Sequence, residues 1–90
     1  MKLHVTHFSY MMTQYLCSML QEHELCDAYD AEIIIIDDKT DITHKTKHLI
    51  CTTQHETDAL KALLKAGADE VLILPVTQDI LNEKLKLLAS

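Results

Sequence analysis

Two neighbouring carboxylates, Asp37 and Asp38, close the run AEIIIIDD at Ala31–Asp38. Paired acids can hold a cation or divide acid and base roles between them, and they also serve as a solvated end to a strand. Six histidines accompany them: His4, His7, His23, His44, His48 and His55. If His7 and His55 reach the same edge as Asp37 and Asp38, the nitrogen and oxygen donors suit zinc or another transition ion. A small metal-binding module is therefore one reading, with His7, Asp37 and Asp38 as its ligands, although no His-x-x-x-His spacing marks it. Cys51 follows Ile50 inside an apolar stretch and reads as core, not as a nucleophile. A single glycine cannot build a phosphate cradle, and no serine elbow is present. These residues point away from an enzyme and from any bound cofactor.

The elements that position them follow from pattern. Four consecutive isoleucines, Ile33 to Ile36, are β-branched and apolar on both alternating faces, as in a central strand covered on both sides. In open α/β sheets, sites lie outside the carboxyl ends of such strands, where Asp37 and Asp38 fall. Before it, Lys2–His7 reads as a strand. Ser9 caps a helix running to about His23, with Met12, Leu16, Met19 and Leu20 on one face. Leu25–Asp30 is then a short connection. After it, Asp38–Lys47 is polar and reads as a loop, and Lys47–Thr52 as the next strand. Thr53 and Glu56 have capping-box spacing before a helix carrying Ala59, Leu60, Leu63 and Leu64, which Gly67 ends. Glu70–Leu74 is a strand stopped by Pro75, and Thr77 caps a last helix with Leu81, Leu85 and Leu88 inward. The order β-α-β-β-α-β-α predicts an α/β three-layer sandwich on a small parallel sheet of about four strands.

Composition narrows the function. Ninety residues, 48% hydrophobic and without tryptophan, make one domain over positions 1–90. The net charge is −6, and all eight basic residues are lysine, which argues against nucleic acid as a partner. Apolar runs of four or five residues are too short to cross a membrane. The three cysteines, Cys17, Cys26 and Cys51, lack zinc-site spacing and read as reduced thiols of a cytoplasmic protein.

HLICTTQHETDALKALLKAGADEVLILPV resembles the last third of a receiver domain of bacterial response regulators, the CheY-like family. Thr52 falls at that family's switch hydroxyl, Ala66-Gly67-Ala68-Asp69 at its turn and Pro75 at its proline. KLHVTHFS, QYLCSMLQEHEL and AEIIIID resemble its first strand, first helix and third strand. The resemblance places Asp37 at the phosphoacceptor position. It also implies a protein partner from phosphorelay signalling: a histidine kinase, another receiver or a related component.

Three departures shape the expectation. His7 and Phe8 stand where receivers have a metal-binding acidic pair, and Leu74 stands where they have a phosphate-contacting lysine. Mg²⁺ prefers oxygen ligands, and charge on a transferring phosphoryl group needs offsetting. The second strand and the second and third helices have no room. A degenerate, non-catalytic receiver is thus expected, of the kind found inside hybrid sensor histidine kinases. The working phosphoacceptor, with Asp37 as nucleophile and Thr52 as switch, is the alternative. With two helices gone, either the loop Lys39–Lys47 covers the isoleucine strand or a partner does, and Ile33, Ile35, Leu60, Leu64 and Leu74 are the expected contact residues.

Overall fold

The computed structural model describes residues 1–43 and 45–90, so His44 lies outside the described residues. The elements are β1 (Lys2–Thr6), α1 (Tyr10–Ser18), β2 (Glu24–Leu25), β3 (Ile33–Ile36), β4 (Lys47–Thr52), α2 (Thr57–Lys65), β5 (Glu70–Ile73) and α3 (Gln78–Ala89). All strand pairs are parallel, in the order β2-β1-β3-β4-β5. This is the expected α/β sandwich with a fifth strand added. The second strand, expected to be missing, is present: Leu25, expected at the start of a connection, and Glu24 before it pair with Leu3 and Lys2 at the sheet edge. A two-residue strand carries no periodicity to read.

The isoleucines explain the layering. Alternate side chains of a strand leave opposite faces. Ile33 and Ile35 join Leu3, Leu16, Leu49 and Leu81 in one cluster, under α1 and α3. Ile34 and Ile36 join Ala31, Ile50 and Ala68 in another, against which Leu63 of α2 and Ile42 of the loop pack. The helix-free crossover from β3 to β4 therefore contributes its own apolar residue to the face it spans. Ile42 also meets the end of α2, with its Cδ1 3.7 Å from where a Cβ on Gly67 would stand.

Helix ends follow the sequence in part. Ser9 accepts from the Met12 amide at 3.2 Å and Thr77 from Ile80 at 3.3 Å, as their positions predict. Gly67 takes φ +114°, the conformation for which a glycine ends a helix. α1, however, stops at Ser18 and not near His23, and Met19 and Leu20 are buried beyond it through a turn. The Thr53–Glu56 capping box does not form: Glu56 is the N-cap of α2 and makes no side-chain cap bond. The preceding residues are held instead by Asp38, as described below.

Candidate functional site at the carboxyl edge

β1, β3 and β4 end on the same side of the sheet because they are parallel and in register, with Thr6 beside Ile36 and Ile36 beside Ile50. Their ends converge on a pocket of about 440 Å³ lined by His7, Phe8, Asp37, Asp38, Thr52 and Leu74, among others. The sequence thus brings His7, Asp37 and Asp38 together with Thr52. His55 does not line this pocket.

The two aspartates have different environments. Asp38 Oδ2 accepts from the Thr52 hydroxyl at 2.7 Å and from the Gln54 side-chain amide at 3.2 Å. Thr52 Oγ1 in turn accepts from the Gln54 backbone amide at 3.0 Å. The Thr52 hydroxyl foremost, then Gln54, holds the Asp38 carboxyl below its ordinary range. Asp37 is the reverse case: its Oδ1 is buried and has no hydrogen-bond partner among the described residues. A buried orphan oxygen at a strand end calls for a ligand or water. Gln54 was not singled out by sequence. Its signal is its place two residues beyond Thr52, where a threonine hydroxyl can close a turn onto the backbone amide.

Leu74 is 8% exposed and packs into the main core, and Phe8 packs against that core. Neither offers a polar atom to the pocket. Cys51 also lines it, but burial pushes its thiol up to about 12, leaving it protonated. A divalent cation would find Asp37 and an Asp38 oxygen already accepting two bonds, with apolar side chains where further oxygens are needed. The residues do not fit a Mg²⁺ site of the receiver type. Nor, among the described residues, does any group of three or more His, Cys, Asp or Glu side chains come together to hold a metal.

The expected contact set is dispersed. Ile33 and Ile35 are fully buried beneath α1 and α3 and Leu74 is enclosed, so none of the three is open to a partner. Their neighbours explain it, since these isoleucines face the helices that remain. Leu60 is half-buried on α2 and Leu64 is exposed there.

Solved structures share this architecture. The chain superposes on the receiver domain of the Francisella response regulator 1452 with a TM-score of 0.79 at 17% identity, covering 98% of this chain and 95% of that one. A response regulator from Thermotoga maritima gives 0.78 at 15% identity, over 98% and 96%. A CpaE pilus-assembly candidate from Burkholderia thailandensis gives 0.82 at 16% identity, over 99% and 98%. No family model matches the chain, and no curated protein matches its sequence. The protein has the receiver fold. Among the described residues no helix is long and apolar enough to cross a membrane.

Proposed function

We propose that this domain is a degenerate receiver, a non-catalytic protein-interaction module of phosphorelay signalling, working in the cytoplasm with a kinase, receiver or related protein as partner. Leu74 carries the reading. It fills the strand-end position of the receiver lysine with a buried aliphatic side chain, so the pocket has no cation there to meet a phosphoryl group. The remaining lysine at the pocket, Lys39, is exposed on the loop. Exposed apolar side chains support a protein partner: Leu64 on α2, Ile73 on the edge strand β5, and Ile80 and Leu87 on α3.

One observation favours a second reading. The unpartnered Asp37 Oδ1 is what a phosphoacceptor would present. Beryllofluoride with Mg²⁺ separates the two by amide NMR. A non-catalytic domain gives no saturable shift at Asp37 or Thr52, whereas shifts centred there identify a working acceptor and refute the proposal.

A further inference from the structure

The carboxyl-edge pocket holds two acids that no basic side chain of the described residues neutralises. Asp37 and Asp38 both line its volume of about 440 Å³, and the ion pairs among the described residues, Lys2–Glu24 and Lys84–Glu70, involve neither. Lys39, the lysine on its lining, is exposed. The pocket is open to a ligand: Phe8, Met12, Asp37 and Asp38 are half-buried and Gln54 is exposed.

The two carboxylates differ in what they have left to offer. Thr52 and Gln54 fix Asp38 in place and keep it ionised, so it contributes a stationary negative charge. Asp37 is the open acceptor, because its buried Oδ1 has no partner among the described residues. An orphaned carboxylate oxygen calls for a donor. Its side chain turns about a broad, two-fold terminal torsion, which brings either oxygen to the open side.

The lining that disqualifies a divalent metal suits a long organic cation. A metal needs oxygens where Phe8, Met12 and Leu74 stand. The methylene stem of arginine packs on such apolar walls, and its planar fork delivers paired N–H donors to one carboxylate. The start of α1 lies beside the pocket, and a helix N-terminus carries about half a positive charge. Two full carboxylates outweigh it, and Ser9 already takes up the Met12 amide. The same turn of α1 leaves Tyr10 and Met11 exposed, at 79% and 82%.

We propose that a partner protein docks here by placing an arginine side chain in the pocket, with its guanidinium on the Asp37 carboxylate and its stem against Phe8 and Met12. Apolar neighbours of that arginine rest on Tyr10 and Met11. The inference rests on the reading of this domain as a protein-interaction module and names the chemistry its partner presents.

The probe is the peptide acetyl-Leu-Arg-Leu-amide, with the citrulline peptide as an uncharged control of the same shape, titrated into the whole chain without Mg²⁺ and followed by ¹⁵N NMR. The arginine peptide is expected to give saturable shifts at Asp37, Asp38, Met11 and Met12, with a Kd of about 1 mM. The citrulline peptide is expected to bind roughly 10-fold more weakly. Asp37→Asn keeps the size of the side chain and removes an uncompensated charge, so it leaves folding intact, and it is expected to weaken arginine binding roughly 5-fold. Equal binding of the citrulline peptide, unchanged binding to Asp37→Asn, shifts confined to β5 and α3, or no saturable shift would each overturn the proposal. Beryllofluoride with Mg²⁺ tells the two failures apart. A response at Asp37 and Thr52 refutes the non-catalytic reading, whereas silence to both beryllofluoride and the arginine peptide overturns this inference alone.

Discussion

Replacing Thr52 by valine tests whether the Asp38 hydrogen bonds hold the carboxyl edge together. Valine preserves shape, so no cavity opens at a side chain that is 2% exposed. What is lost is the 2.7 Å bond to Asp38 and the 3.0 Å bond from the Gln54 amide. A hydrogen bond to a charged group contributes about 1.5–3 kcal/mol. Asp38 is only half-buried, so water replaces part of that, and the expected net cost is about 1–2 kcal/mol. With a urea m-value of about 1 kcal/mol/M, the unfolding midpoint falls by roughly 1–2 M at pH 7.

The pH dependence gives the sharper test. The folded carboxyl titrates below its unfolded value, so its stabilisation is complete above that value, about 3.9, and is lost as pH falls through the depressed folded one. The gap between wild type and Thr52→Val should therefore be full at pH 7, persist to about pH 4 and narrow by about pH 2.5. Urea titrations followed by far-ultraviolet circular dichroism measure it, in sulfate buffer, which favours the folded state. Thr52→Ser, which keeps the hydroxyl, should retain the pH dependence. A gap absent at pH 7, or unchanged at pH 2.5, refutes the assignment.

Two further outcomes follow from single residues. Gly67→Ala should cost about 1–2 kcal/mol through backbone strain at φ +114° alone, since the new Cβ meets Ile42 only at ordinary contact distance; an unchanged melting temperature would refute this. At pH 8, iodoacetamide should alkylate half-buried Cys17 and Cys26 well before Cys51, whose thiol burial holds at about 12; peptide mass mapping showing Cys51 modified first would contradict that.

Much of this arrangement was legible because strong local signals agreed with the fold. Ile33–Ile36 announced a strand buried on both faces, Gly67 a helix end and Thr77 a helix start, and each is a short-range consequence of residue type. The edge strand Glu24–Leu25 was not legible, because its reason for being extended is the neighbouring β1 backbone. The failed capping box has a similar cause. Thr52 and Gln54 are drawn to Asp38, a partner remote in sequence, and that outweighs local capping at Thr53. At the site, sequence placed Asp37 and Asp38 together, but not which one Thr52 would engage. Their difference comes from how the chain turns out of β3. Likewise, His4 and His48 were visible in the sequence, but not that they would flank Ile34 on neighbouring strands.

The helix-free crossover also orders the assembly of the sheet. Ile33 and its β4 partner Lys47 are fourteen positions apart, whereas Leu3 and Ile33 are thirty apart and Leu49 and Glu70 twenty-one. Loop-closure entropy rises with the logarithm of loop length, and a loop of about ten residues closes in roughly 10–100 ns. The β3–β4 ladder thus has the lowest closure cost of these three pairings, by about 0.4–0.7 kcal/mol. The expected growth is outward from the centre, β5 joining through α2 and β1 through α1, and φ-values highest in β3 and β4 would show it.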